Sequence, residues 1–151
     1  MSPLPGVRTL DHVGLTVPDL AAARRFFVEV LGFSMLRLGT LNLELFEFEA
    51  ADQRREVPRT SDWGGAHLAF YVDDLPAAVA HLREHGARVL GEPMALPGIE
   101  AGQGNQFVFA LAPGGVPFEL ISYPSGKAYE KDGGPRLFDP RREPPWEGSG
   151  G

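Results

Sequence analysis

One strand-and-helix signature is written twice in this chain, 55 residues apart, and a repeat of that length ties both halves to the same local architecture. DHVGLTVPDLAAARRFF (residues 11–27) lines up with AHLAFYVDDLPAAVAHL (66–82), setting His12 over His67, Val17 over Val72, Asp19 over Asp74 and Leu20 over Leu75. Each copy opens on an apolar run of strand length, Leu10 to Val17 and Leu68 to Val72. An aspartate then stands where a helix N-cap belongs, Asp19 in the first copy and Asp73 or Asp74 in the second. Apolar residues at helical spacing follow: Ala23, Phe26, Phe27, Val30 and Leu31 up to Gly32, then Leu75, Ala78, Val79 and Leu82 up to Gly86. Pro76 falls in the first turn, where its missing N–H costs little.

After its helix the second copy continues through ARVLGEPM, QFVFALA and VPFELISY, three strand-like runs that complete a β-α-β-β-β module. The first copy has only FSMLRLG and LNLELFEFEA. Aligning LNLELFEF with VPFELISY sets Glu44 over Glu119, Leu45 over Leu120 and the Gly39-Thr40 turn over Gly114-Gly115. His67 to Glu119 spans 52 residues and His12 to Glu44 only 32, so the first module is short by one strand, the second of the set. Strands in such a module alternate in direction. Dropping one reverses the heading of the next strand unless a long connection intervenes, which leaves the orientation of Glu44 open.

The matched positions carry donors. His12 and His67 begin equivalent strands, and Glu44 and Glu119 lie in equivalent final strands, so a pseudo-twofold pairing brings two imidazoles and two carboxylates to one divalent cation. Any one of these residues alone is more often a core histidine or an exposed glutamate; the same pair placed twice changes the odds. The chain has no cysteine, which excludes thiolate ligands, a thiolate nucleophile and disulfides, and nitrogen and oxygen donors suit Ni, Co, Fe, Mn or Zn without choosing among them. His81 and His85 are four apart on the second helix with no HExxH glutamate, and read as solvated helix positions. If Glu44 points elsewhere, His12, His67 and Glu119 remain as a two-histidine, one-carboxylate set of the kind non-haem iron uses. Arg37, Asn42, Gln103, Asn105 and Gln106 are candidates for orienting a substrate.

Gly and Pro make up 11 of residues 124–151 but only 22 of residues 1–123. The expected organisation is an extension over 1–9, a shortened first module over 10–50, a linker over 51–64, a second module over 65–124 and a Pro/Gly-rich tail over 125–151. That tail is expected to be loosely docked, although Tyr129, Leu137, Phe138 and Trp146 could staple it to a groove. A net charge of −6 argues against nucleic acid as a partner. With no signal-like start and no stretch near the roughly 20 apolar residues of a bilayer span, a soluble cytoplasmic protein without a membrane partner is expected.

LDHVGLTVPDLAAARRFFVEVLGF, HLAFYVDDLPAAVAHLREHGARVLGEP and LAPGGVPFELISYP resemble the vicinal oxygen chelate superfamily of glyoxalase I, methylmalonyl-CoA epimerase, extradiol dioxygenases, and fosfomycin and bleomycin resistance proteins. The resemblance covers residues 10–124. It implies an α+β fold of two βαβββ modules, each curling into half a barrel around a metal and ligand cleft, with His12, Glu44, His67 and Glu119 as the metal ligands. A four-donor set is similar to the glyoxalase I and epimerase branch. There the metal stabilises an enediolate or enolate of a small carbonyl or hydroxycarbonyl substrate while a carboxylate, here Glu44 or Glu119, moves the proton. The alternatives are a non-catalytic drug-binding resistance protein, whose relatives generally lack the metal set, and a His-His-Glu iron dioxygenase, for which further acid–base groups are wanting. A homodimer binding a small-molecule substrate is expected.

Overall fold

The computed structural model describes residues 10–34, 36–132 and 137–143, which fall into two compact units, 10–48 and 49–143. The first unit runs β1 (His12–Thr16), α1 (Leu20–Arg25), β2 (Arg37–Leu38) and β3 (Leu41–Phe46). The second runs β4 (Leu68–Tyr71), α2 (Leu75–Glu84), β5 (Arg88–Val89), β6 (Met94–Ala95), β7 (Gln106–Leu111) and β8 (Pro117–Ser122). Residues 47–67 carry no helix or strand. Both sheets are open, in the orders β1-β3-β2 and β4-β8-β7-β5, and β6 continues along β7 beyond β5. The α+β class and the module architecture expected from the repeat are present. Among the described residues no helix is long and apolar enough to cross a membrane.

The repeat holds down to individual hydrogen bonds. Asp19 Oδ1 accepts from Ala22 N–H at 2.8 Å, and Asp74 Oδ1 from Ala77 N–H at 2.9 Å, so each helix is capped by the aligned aspartate. Val17 N–H donates to Phe46 O at 2.8 Å, and Val72 N–H to Ile121 O at 2.9 Å. In both units the first strand pairs in parallel with the last, Gly14 opposite Glu44 and Ala69 opposite Glu119. One helical detail departs from the repeat. Asp19 to Gly32 is one residue longer than Asp74 to Gly86, and the extra residue is taken up in a π-helical turn over Phe26–Val30, where Leu31 N–H reaches back to Phe26 O.

The strand count explains how Glu44 keeps its heading. In the second unit, β7 pairs with β8 along six residues, and the β5–β6 edge runs antiparallel beside β7. In the first unit, among the described residues, β2 pairs with Leu41 and Asn42, next to the Gly39-Thr40 turn, and Leu43 N–H donates to Leu36 O just before it at 2.8 Å. A hairpin trimmed to its turn end needs no long outward strand before it. The short connection after α1 therefore enters β2 directly, and β3 still runs parallel to β1.

Each helix packs on one face of its sheet, α1 on β3 and α2 on β5 and β8. Side-chain alternation sends Leu43, Phe118, Leu120, Val108 and Ala110 to that buried face. In the first unit Phe27 meets Phe26 and Phe33 edge-on, with ring centroids 5.7 and 5.5 Å away. In the second unit Leu75, Val79 and Leu82 of α2 are buried. The opposite faces of the sheets carry the polar donors.

Residues 125–143, where described, lie against the second unit. Arg141 Nη1 donates to Tyr123 O at 2.9 Å, Arg141 grips Asp139 through two bonds of 2.8 Å, and its guanidinium lies 5.1 Å from the Tyr123 ring centroid. Burial pushes the Tyr123 phenol up to about 12, and Arg141 holds the Asp139 carboxyl down to about 2. Leu137 and Phe138 are exposed. The extension over 1–9 and Trp146 lie outside the described residues.

Candidate active site

Each unit brings its histidine and glutamate together on the open sheet face. In the first, pleating puts His12, Gly14 and Thr16 of β1 on the same side as Asn42, Glu44 and Phe46 of β3. His12 Nε2 stands 3.5 Å from Glu44 Oε2, and both side chains are about half exposed. In the second, His67 precedes β4 and Glu119 sits between Ala69 and Phe109 in register. His67 Nε2 is 3.2 Å from Glu119 Oε2, and the Glu119 side chain is only 12% exposed. On β7, Phe109 lies opposite Glu119 in register and packs edge-on against the His67 ring, centroids 5.1 Å apart, and the charges of Glu100 and Lys127 also act on the carboxyl.

The electrostatics arise from these contacts. His12 Nδ1 lies 3.0 Å from Asp11 Oδ1. That hydrogen bond, with the Glu44 carboxylate on the other side, raises the imidazole above its ordinary value. Burial raises the Glu119 carboxyl above the usual carboxylate range, and the neighbouring His67 works in the other direction. In the neutral tautomer with Nδ1 protonated toward Asp11, the Nε2 lone pair of His12 would face the Glu44 oxygen 3.5 Å away. Two acceptors at that separation call for a proton or a cation between them. The donor chemistry of both pairs therefore fits a divalent cation, with Asp11 as the outer carboxylate that orients one ligand. Among the described residues, no group of three or more His, Asp and Glu side chains is gathered closely enough to hold a metal ion.

The other polar candidates are placed differently. The Asn42 amide donates to Asp11 O at 3.0 Å and so braces the segment that carries His12. Arg37 Nε donates to Gly39 O at 2.9 Å, within its own turn. Asn105 is turned inward: its amide nitrogen donates to Glu100 O and Gly126 O at 3.0 and 2.7 Å, and its carbonyl accepts from Ser125 Oγ at 3.1 Å. It ties loops together and does not face a substrate. Gln103 is exposed in a turn, and Gln106 opens β7 opposite Ser122. His81 and His85 are exposed on α2, as expected, with His85 Nδ1 2.8 Å from His81 O. One neighbour of a donor, Asp11, was not singled out in the sequence although it had a signal, an acid directly before the histidine; Phe109 belongs to the strand phenylalanines that read as mostly core, with some lining an apolar pocket. Beside Phe109, residues 57–60 stand over the sheet and leave a cleft of about 440 Å³ that Arg88, Leu90 and Pro117 also line.

The chain is similar to known proteins. The family model of the Glyoxalase/Bleomycin resistance protein/Dioxygenase superfamily matches residues 9–120. The chain is 39% identical to a 2-epi-5-epi-valiolone epimerase from Actinomyces sp, with 91% of each chain covered. It is 28% identical to a lactoylglutathione lyase from Haemophilus influenzae, over 78% of this chain and 94% of that one. Among solved structures, a glyoxalase family protein from Enterococcus faecalis superposes with a TM-score of 0.60 at 28% identity, covering 76% of this chain and 97% of that one. The activities named for these relatives are those of an epimerase and a lyase, and they support an enzyme of the isomerase or lyase kind. By the reach of its family match and by these likenesses, the chain belongs to the Glyoxalase/Bleomycin resistance protein/Dioxygenase superfamily.

Proposed function

We propose that the chain is a divalent-metal-dependent epimerase or related isomerase/lyase that moves a proton next to the carbonyl of a small hydroxycarbonyl substrate, with His12, Glu44, His67 and Glu119 as the metal ligands. The observation that supports it most is the same His–Glu contact made twice at matched register, 3.5 Å in one unit and 3.2 Å in the other. A bound divalent cation would polarise the substrate carbonyl, acidify the neighbouring C–H and favour the enolate or enediolate. The chain's own groups do the rest. Glu119, nearly covered, and Glu44, half exposed at the equivalent register position, are the two candidate carboxylates for the proton transfer. Asp11 and Asn42 hold His12 in place. A homodimer in the cytoplasm is part of this proposal.

The test is wash-in of solvent deuterium, followed by NMR, into α-hydroxyketones ranging from dihydroxyacetone to 2-keto-myo-inositol. Protein reloaded with Ni, Co, Mn, Fe or Zn should exchange the proton beside the carbonyl of at least one of them, and chelated protein or Glu119→Gln should not. Exchange that is equal with and without metal, or absent from every loaded form, contradicts the proposal.

A further inference from the structure

In the second unit the open sheet face continues past the His67–Glu119 pair into a cleft that the proposed chemistry does not use. Pairing sets Phe109 opposite Glu119, Leu111 opposite Pro117 and Arg88 opposite Leu111. Side chains two apart on a strand share a face, so Arg88, Phe109, Leu111 and Pro117 stand on the same side of the sheet as Glu119. Over them lie residues 57–60, leaving about 440 Å³, a volume within the range of small-ligand pockets. Phe109 stands at the Glu119 end, against the His67 ring, and Arg88 at the other, beside Leu111.

The covering segment is fixed in place. Arg59 N–H donates to Asp62 Oδ2 at 3.0 Å, and the Arg59 guanidinium closes on the same carboxylate at 2.8 Å. The turn is so tight that a Cβ on Gly65 would run into Arg59 O. Val57 rests on the β7–β8 turn, where a Cβ on Gly115 would stand 3.6 Å from Val57 Cγ2. The walls are apolar, with Val57, Leu90, Leu111 and Pro117 beside the Phe109 ring, and no Asp or Glu is among the described residues that line the cleft. Two arginines line it. Arg59 is met by Asp62, as Arg83 is by Glu92, Lys127 by Glu100 and Arg141 by Asp139. Arg88 is exposed and, among the described residues, has no carboxylate partner.

One cation without an anion, at one end of an apolar cleft, matches a ligand with a single negative charge at one end. A guanidinium presents a fork of N–H donors that a carboxylate accepts through two bonds. A phosphate monoester brings nearly two charges, and the apolar walls would strip water from the second without pairing it. A neutral ligand would gain nothing from Arg88. We infer that the cleft binds a monocarboxylate on an apolar stem, with the carboxylate on Arg88 and the stem lying along Leu111 and Leu90 toward Phe109. A ligand held so ends against the ring that borders the His67–Glu119 pair. The inference concerns binding and does not depend on the metal reading of that pair.

The probes are 4-phenylbutyrate, its uncharged amide 4-phenylbutanamide and 3-phenylpropyl phosphate, which share a stem and differ in the charge of the head. Dissociation constants come from NMR titration of the full chain, metal-loaded and chelated, at about pH 8, where the phosphate ester is a dianion. Wild type should bind the carboxylate about tenfold more tightly than the amide, and more tightly than the phosphate, in both forms, with shifts at Leu90, Phe109 and Leu111. Arg88→Gln should remove the carboxylate's advantage and leave amide affinity unchanged, and Arg88→Lys should restore part of it. Arg83→Gln, which removes the same charge from α2, should alter neither affinity, and Leu90→Ser should weaken all three probes. Circular dichroism of each variant checks the fold. Equal affinity for carboxylate and amide in wild type, an advantage that survives Arg88→Gln or requires the metal, tighter binding of the phosphate, binding of no probe, or shifts confined to other residues overturns the inference.

Discussion

The two sheets share a donor arrangement and differ in what surrounds it. β1–β3 and β4–β8 place a histidine and a glutamate in contact with the same parallel register, but Glu119 has Phe109 beside it and is nearly covered, whereas Glu44 is half exposed. Among the described residues β2 is two residues long and pairs with Leu41 and Asn42. The lesson is one of division of labour within the module. The pairing of first strand with last sets histidine and glutamate side by side; in the second unit the carboxylate is also covered, and burial raises Glu119. A module can therefore differ in its flanking strands and keep the His–Glu contact while changing how far its carboxylate is exposed.

The strongest way to break this comparison is to remove the donors one unit at a time. If both pairs serve one reaction, His12→Ala and His67→Ala should each lower kcat/KM by about three orders of magnitude or more, the scale expected when several kcal/mol of charge stabilisation is lost. Loss confined to one variant would mean that the repeat is structural in the other unit. The cores should differ in what they can absorb. Phe27→Ala and Phe118→Ala each remove a nearly fully buried ring and should destabilise by about 3–5 kcal/mol in denaturant titrations. A value below about 1 kcal/mol for Phe27 would show that the edge-on Phe26–Phe27–Phe33 cluster does not hold the smaller unit together.

Proton affinity sharpens the contrast. His12 is raised above 6.5 by Asp11 and Glu44, and Glu119 above 4.5 chiefly by burial. A group whose folded value is raised stabilises the fold below its unfolded value and loses that contribution as pH rises through the folded one. Thermal stability of the metal-free protein should therefore fall as pH rises from below 4.5 to above 6.5. Metal affinity should rise over the same span, because the cation competes with these protons. Phe109→Ala should bring the Glu119 carboxyl back toward its ordinary value and leave the pH dependence of His12 in place, as followed by NMR titration. Flat profiles for both stability and metal affinity would contradict histidine ligation. The smallest effects should come from the caps: Asp19→Ala and Asp74→Ala should each cost about 1 kcal/mol, and a marked inequality would show that the π-helical turn compensates in the first unit.

Much of this was legible in the sequence because it repeats. The caps, the strand starts and the alignment of Glu44 with Glu119 all rest on residue identities that recur at fixed spacing. What was not legible depends on partners distant in sequence. The heading of Glu44 turned on how far β2 pairs along β3, and nothing in FSMLRLG announces a two-residue strand. Asn105 had the composition of a substrate contact, yet its amide is spent on Glu100, Gly126 and Ser125, loops that meet it only after folding. The one-residue excess of the first helix is visible by counting to Gly32, but its absorption as a π turn is a packing outcome around Phe26 and Phe27.

The central claim is that the two His–Glu pairs contribute to one cation site. Metal content by plasma mass spectrometry on untagged protein tests it most directly, with wild type beside His12→Ala, His67→Ala and the double variant. The account predicts about one divalent ion per chain in wild type and a near-complete loss in each single variant, as expected when one four-donor set loses an imidazole. Equal, near-zero metal in all four proteins, or wild-type content in the double variant, would contradict it.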